Sequence, residues 1–121
     1  VKFYREHGYE LKAQLIVCPG SELVHATAER DGILQIFTEA GATIMTNACG
    51  PCIGQWKRIT DDNTRRNSIV TSFNRNFAKR ADGNPNTHAF ITSPEVAVGY
   101  AFTGTLLEHP STSTHWPAFS C

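Results

Sequence analysis

The chain has 121 residues, of which 40% are hydrophobic and 18% are charged, a composition typical of one globular domain and not of a disordered segment. Eleven basic and eleven acidic residues cancel, so no net charge draws the chain to nucleic acid or to a membrane surface. No apolar run approaches the roughly 20 residues of a membrane-spanning helix, and the first residues are not a signal or transit peptide.

The first half of the sequence predicts two strands that flank a helical region. Lys12 to Val17 is rich in aliphatic and β-branched residues and predicts a short strand. Ser21 is a suitable N-cap for a helix, which Gly32 should interrupt. A second apolar stripe then stops near Gly41, and Ala42 to Thr46 predicts the next strand.

The second half predicts two more strands around a long basic loop. Ile59 to Asn67 is polar and predicts a surface loop, and Ser68 to Phe73 predicts a strand. Asn74 to His88 is basic and rich in turn residues, so it should form a loop. Ala89 to Thr92 predicts a short strand.

A strong helix start follows the last predicted strand. Ser93 can cap the helix, Pro94 suits its first position, and Glu95 suits its positive end. The helix from Val96 to about Phe102 is apolar nearly all round, which predicts burial. Strands that alternate with helices favour an α/β layered domain with a largely parallel sheet.

The cysteines point to metal or redox chemistry. Cys49 and Cys52 form a Cys-Gly-Pro-Cys sequence, whereas Cys18 and Cys121 are isolated, so the set does not look like a disulfide framework. A Cys-x-x-Cys pair can be a redox dithiol, half of a zinc site, or two ligands of an iron–sulfur cluster.

Local sequence disfavours the first two of these chemistries. A thioredoxin-like dithiol needs a long helix after the second cysteine, but Gly54 and the sequence T-D-D-N follow Cys52 closely. A structural zinc site needs four ligands, and the chain offers no second cysteine pair. Two buried thiols without a role remain the simplest alternative. For a cluster, Gly50 and Gly54 would allow the backbone to approach closely, but further ligands are needed.

Three segments together resemble the aconitase family. They are P-G-S-E-L-V-H-A-T-A-E-R-D-G, N-A-C-G-P-C-I-G-Q-W, and N-S-I-V-T-S-F-N-R-N-F-A-K-R-A-D-G-N-P-N-T-H-A-F-I-T-S-P-E, in the family's order. The resemblance extends from about Lys12 to Pro110. It is closer to the mitochondrial-type branch, which includes bacterial members, than to the isopropylmalate isomerases.

The resemblance implies an α/β/α fold like that of the third aconitase domain. Residues 1–110 would form part of the iron–sulfur domain, and residues 111–121 an irregular tail. Cys49 and Cys52 match two ligands of the family's [4Fe-4S] cluster, and the third cysteine is expected outside this chain. Cys18 lies where the family usually has a threonine, so it is not counted as a ligand.

The resemblance also implies a substrate site in the basic loop. The arginines that match Arg75 and Arg80 bind substrate carboxylates in the family, and the asparagine that matches Asn74 lies beside the cluster. Arginine suits this role because its planar guanidinium binds carboxylates through two hydrogen bonds. The family's catalytic acid and base lie in other domains, so no catalytic residue is assigned here. His88 is expected to be structural and Ser93 to be only a helix cap.

The function implied by the resemblance is that of a hydro-lyase. The complete enzyme would isomerise citrate to isocitrate through cis-aconitate, whereas this chain alone should be inactive. Because it begins at Val1 without a methionine, it is expected to be a piece of a longer protein. Expected partners are a tricarboxylate substrate and the remaining domains, but neither a membrane nor nucleic acid.

The expected location is the cytoplasm if the source is bacterial, and otherwise the mitochondrial matrix. A thioredoxin-like oxidoreductase and a truncated, non-catalytic domain without a cluster stay as alternatives.

Overall fold

The computed structural model describes residues 1–45, 64–73, 79 and 81–112. The chain divides into two compact units, Val1–Ala48 with Val98–Cys121, and Cys49–Ala97. The described helices and strands, in chain order, are α1 (Lys2–Glu6), β1 (Ile16–Val17), α2 (Glu22–Arg30), α3 (Ile33–Glu39), β2 (Thr43–Ile44), β3 (Asn67–Thr71), β4 (Thr87–Ile91) and α4 (Pro94–Thr103), followed by a 3-10 turn (Pro110–Thr112). Among these residues no helix is long and apolar enough to cross a membrane.

Helices α2 and α3 begin and end where the sequence predicts. The Ser21 backbone is extended, and its hydroxyl accepts a hydrogen bond from the Val24 N–H at 3.2 Å, which satisfies one of the unpaired donors at the start of α2. Gly32 has a φ of 72°, a left-handed conformation that favours glycine, and it separates α2 from α3. The predicted interruption at Gly32 is therefore confirmed.

Strands β1 and β2 form a parallel pair. Ile16 pairs with Thr43 and Val17 with Ile44. Both strands are shorter than the sequence predicts. In the first, the N–H groups of Lys12 and Ala13 donate to the Ala101 carbonyl at 2.9 and 3.1 Å. These donors satisfy a carbonyl in the last turn of α4, so they do not extend the strand.

The core of the first unit is aromatic. Tyr4 and Phe102 are both 4% exposed, and their rings stack with centroids 4.3 Å apart and an angle of 9° between the planes. Tyr9 packs edge-on against Tyr4, and Ala42 and Ala101 are also buried. Helix α1, which supplies Tyr4, was not anticipated from the sequence.

Strands β3 and β4 form the parallel pair of the second unit. Their register runs from Asn67 opposite Thr87 to Thr71 opposite Ile91. Strand β4 begins earlier than the predicted Ala89, and β3 begins at Asn67, which the sequence assigned to a loop. The reason is a contact between the two strands, because the Thr87 hydroxyl is hydrogen-bonded to Asp82 and to Asn67, the first residue of β3, and so holds both strand starts.

Helix α4 starts at the predicted Pro94. The Ser93 hydroxyl accepts a hydrogen bond from the Val96 N–H at 3.3 Å, as expected of an N-cap. The pKa of Glu95 is lowered because its carboxylate accepts hydrogen bonds from its own backbone N–H and from Ser93. The predicted burial is confirmed in part, because Gly99, Ala101 and Phe102 are buried whereas most of the other residues are half-exposed or exposed.

Helices and parallel strand pairs of this kind are compatible with an α/β fold. The layered α/β/α arrangement remains a prediction.

Candidate functional site

The residues that the sequence assigns to the site lie outside the described part of the chain. This holds for the predicted cluster ligands Cys49 and Cys52, and for Asn74, Arg75 and Arg80. The structure does describe the segments that lead into and out of these motifs.

The cysteine motif follows the carboxyl end of a parallel strand. Strand β2 ends at Ile44, and the N–H of Met45 donates to the Val17 carbonyl at 2.9 Å. Because β1 and β2 are parallel, Cys18 follows β1 at the same edge, where it is half-buried. In parallel α/β sheets, binding sites form at the carboxyl ends of strands.

The arginine motif has the same relation to the second strand pair. Strand β3 ends at Thr71, whose carbonyl accepts a hydrogen bond from the Thr92 N–H at 2.9 Å. Asn74 and Arg75 follow shortly after in the sequence. In the sequence, both predicted motifs therefore come shortly after a strand that has a parallel partner.

The residues on either side of Arg80 in the sequence belong to a turn that a backbone hydrogen bond closes. The Gly83 N–H donates to the Lys79 carbonyl at 3.1 Å, and Lys79 has a φ of 66°, which is rare for a residue other than glycine. Ala81 is 5% exposed, so the residue after Arg80 is anchored in the interior.

Asp82 ties this turn to the start of the strand pair. Its Oδ2 accepts a hydrogen bond from the Thr87 hydroxyl at 2.6 Å, and its Oδ1 accepts one from the Asn84 N–H at 3.0 Å. The Thr87 hydroxyl also lies 3.1 Å from Oδ1 of Asn67, the residue opposite Thr87 in the register. Asp82 and Thr87 are both buried.

Sequence reasoning missed Asp82 and Thr87. The sequence D-G-N-P-N is a turn signal, because an aspartate side chain often accepts a hydrogen bond from the backbone N–H two residues later. That signal locates the Asp82–Asn84 bond. The bond to Thr87 depends on the fold and has no local signature.

The first unit also contains a cavity of about 430 Å³. It is lined by Tyr4, Tyr9, Lys12, Phe102, Thr103, Thr105, Glu108, His109, Pro110 and Thr112. The Tyr4 hydroxyl is buried and has no hydrogen-bond partner among the described residues. Burial, and secondly the neighbouring Tyr9, raise the pKa of Tyr4. In the described part of the chain, no three His, Cys, Asp or Glu side chains are grouped so that they could hold a metal ion.

A family model described as "Aconitase family (aconitate hydratase)" matches residues 1–104. The chain belongs to the aconitase family. The match confirms the predicted resemblance and includes both the cysteine motif and the arginine motif. It begins at residue 1, upstream of the predicted start at Lys12.

Curated relatives are named aconitate hydratase, mitochondrial. The relative from Gracilaria gracilis is 53% identical over 114 residues, which cover 94% of this chain and 15% of that protein. The relative from Candida albicans is 55% identical over 108 residues, or 89% of this chain and 14% of that protein. The relative from Saccharomyces cerevisiae is 50% identical over 112 residues, which cover 93% of this chain and 14% of that protein.

The chain thus spans about 15% of the length of the curated relatives that it matches. The family match gives no support to the thioredoxin-like alternative.

Proposed function

We propose that this chain is a segment of an aconitate hydratase, a hydro-lyase that isomerises citrate to isocitrate through cis-aconitate. The observation that carries the proposal is the family match over residues 1–104, together with about 50% identity to proteins of that name. Because the relatives are several times longer, the remaining domains of the enzyme are its expected partners. The segment alone should be inactive.

Within this enzyme, Cys49 and Cys52 would hold two irons of a [4Fe-4S] cluster, with the third cysteine outside the chain. Two thiols separated by two residues are a donor set that suits such a cluster, and the motif follows the carboxyl end of β2. When bound, the cluster supplies an iron with an open position that acts as a Lewis acid toward the substrate.

Arg75 and Arg80 would bind the carboxylates of the tricarboxylate substrate, and Asn74 would lie beside the cluster. A guanidinium can form two parallel hydrogen bonds to one carboxylate, which fixes the orientation of the substrate as well as its charge.

The proposed location is mitochondrial, because the relatives that match this chain carry that word in their names. The predicted cytoplasmic location of a bacterial enzyme receives no support from them.

Serine variants of the complete enzyme test the cluster ligands. Cys49→Ser and Cys52→Ser should each lower the bound iron and sulfide, weaken the visible thiolate-to-iron absorption, and abolish conversion of citrate to cis-aconitate. Cys18→Ser is the matched control and should retain the cluster. Full cluster content and activity in both motif variants would refute the assignment.

Lysine variants test the substrate contacts in the same enzyme. Arg75→Lys and Arg80→Lys keep the charge but lose the planar two-bond contact, so the KM for citrate should rise while the cluster absorption stays unchanged. Arg65→Lys and Arg66→Lys are the matched controls, because both arginines are exposed. Equal KM values in all four variants would contradict the proposed roles.

Cluster reconstitution on the 121-residue chain tests whether a third cluster ligand is needed from outside this chain. The expected result is no stable cluster, because the third ligand is missing. A stable [4Fe-4S] cluster on this chain alone would contradict the expectation that the third cysteine lies elsewhere.

A further inference from the structure

We infer that helices α2 and α3 carry an internal interface of the complete enzyme, covered there by a part of the polypeptide that lies outside these 121 residues. We call it the α2–α3 surface and define it by three exposed apolar residues, Leu23, Val24 and Ile33. The inference rests on the proposed function, because it needs the longer enzyme. It adds the surface through which this chain joins the rest of that enzyme.

No residue of either helix is buried in its own unit. This holds for all nine residues of α2 and all seven residues of α3. A helix on the surface of a globular domain normally buries one apolar stripe against a neighbouring layer. The buried apolar residues of the first unit instead lie in α1, beside β2 and in α4, and they include Tyr4, Ala42, Ala101 and Phe102. The layer formed by α2 and α3 therefore lacks the cover that its apolar residues require.

The two aliphatic side chains of α2 are among its exposed residues. Leu23 is 77% exposed and Val24 is 51% exposed. The half-buried residues of this helix are His25 and Ala28, which lie about 60° apart around the helix axis and so share one side. Helix α2 is thus least exposed at a histidine and an alanine, while its aliphatic side chains contact water. An amphipathic surface helix shows the opposite arrangement.

Helix α3 begins with the third residue of the surface. Ile33 is its first residue and is 44% exposed, and it directly follows the left-handed Gly32. Charged residues flank the apolar ones along the chain, with Glu22 before them and an exposed ion pair, Arg30 Nε to Asp31 Oδ1 at 2.9 Å, between α2 and α3. Apolar residues with charged neighbours at the periphery are typical of a protein interface.

The length of the relatives identifies the occupant. The chain spans about 15% of the curated relatives that it matches, so most of the polypeptide of such an enzyme lies outside it. A second copy of the chain is a weaker candidate, because a stable interface between separate molecules takes about 20–30 residues on each side. Segments of one polypeptide are held at a high effective concentration and need a much smaller surface. The occupant should present apolar side chains, because burial against aliphatic groups is what this surface offers.

Thiol labelling in two molecules tests this inference. Leu23→Cys and Val24→Cys are made in the 121-residue chain and in the complete enzyme, in a Cys18→Ser background, so that each new thiol is the only one in its tryptic peptide, residues 13–30. Mass spectrometry then follows the alkylation of that peptide by iodoacetamide. Both thiols should react freely in the 121-residue chain. In the complete enzyme they should react at least about 10-fold more slowly, because reaction then requires local opening.

Glu29→Cys is the matched control on the same helix and in the same peptide. Glu29 is exposed and lies about 120° around the helix axis from Leu23, so its thiol should react at the same rate in both molecules. Leu23→Ser gives a second measurement that needs no labelling. It should lower the thermal midpoint of the complete enzyme and leave the urea midpoint of the 121-residue chain unchanged, because only the complete enzyme buries this side chain.

Four results would overturn the inference. The first is equal labelling at positions 23 and 24 in the two molecules, and the second is equal protection at position 29. The third is slow labelling in the 121-residue chain at every concentration, which would mean that this chain covers the surface itself. The fourth is protection that grows with the concentration of that chain, which would identify a second copy as the occupant.

Conversion of citrate is measured separately on the complete enzyme. Protection at positions 23 and 24 in a complete protein that does not convert citrate would refute the proposed activity but not this interface. Full activity without protection would refute the interface and leave the proposed function intact.

Discussion

Replacement of Phe102 by alanine should strongly destabilise the first unit. Phe102 is 4% exposed and stacks on Tyr4 with ring centroids 4.3 Å apart. Burial of its side chain contributes about 1.5–3 kcal/mol, and the ring pair adds about 0.5–1.5 kcal/mol. With the cavity that is left behind, we expect a loss of about 3–5 kcal/mol in the free energy of unfolding.

Phe90→Ala is the matched control, because Phe90 is 49% exposed on β4. The same atoms are deleted, but about half of the ring already contacts water and little cavity forms, so the expected loss is about 1 kcal/mol. Urea denaturation of the 121-residue chain, followed by far-UV circular dichroism, measures both losses. With a slope of about 1–3 kcal/mol per molar urea, Phe102→Ala should lower the midpoint by about 1 M or more.

Equal losses in the two variants would refute this reasoning. They would mean that the Tyr4–Phe102 stack does not form the core of its unit in solution. A loss below about 1 kcal/mol for Phe102→Ala alone would refute it as well.

Three further substitutions test single features of the first unit. Gly104→Ala should cost about 2 kcal/mol or more, because Gly104 has a φ of 70° and an added Cβ would lie 2.7 Å from the Cβ of Lys12; urea denaturation measures the loss. Ser21→Ala should cost about 1 kcal/mol, since it removes the cap of α2, and it should reduce the helical circular dichroism signal. Arg5 donates to Glu39 at 2.7 Å, and this bond lowers the pKa of Glu39 below its ordinary value of 4.5. The bond to Arg5 therefore stabilises the fold above pH 4.5, and this stabilisation is lost as the pH falls through the lowered pKa of Glu39. The difference in stability between wild type and Glu39→Gln should then shrink in acid. Urea denaturation midpoints measured across that pH range would show this.

For each of these three predictions, one result would contradict it. Gly104→Ala should be worse than Gly32→Ala, because a Cβ at Gly32 meets no atom within 4 Å, and equal losses would disprove the close approach. Ser21→Asp should keep the cap, so a loss as large as that of Ser21→Ala would exclude capping. A pH-independent effect of Glu39→Gln would exclude the ion pair.

The helices of the first half were predictable because their signals are local. Ser21 caps α2 through a backbone N–H within one turn, and Gly32 supplies the left-handed residue between α2 and α3. Ser93 and Pro94 mark the start of α4 in the same way. Such signals act over three or four residues, so the sequence alone carries them.

Strand lengths were not predictable, because distant atoms decide them. Lys12 and Ala13 have strand-like sequence but donate to Ala101, which lies far along the chain. Thr87 was assigned to a loop on composition, yet its bonds to Asp82 and Asn67 bring it into β4. These contacts arise only when the fold is complete.

For the site, the sequence identified both motifs, and the family match includes them. The ligand and substrate roles of Cys49, Cys52, Asn74, Arg75 and Arg80 remain predictions, because those residues lie outside the described part of the chain. The structure adds the Asp82 network beside the arginine motif, which no local pattern predicts in full.

The parallel pairing of the strands constrains the order in which the chain can fold. Strand β3 pairs with β4 across a separation of 20 residues, and Ile16 of β1 must meet Thr43 of β2. Neither pair can start from a tight hairpin, so the entropy of closing a long loop must be overcome before any ladder bond forms. During synthesis, β3 would leave the ribosome before its partner exists, so the backbone N–H and C=O groups that later pair with β4 would stay unpaired until residues 87–91 are made.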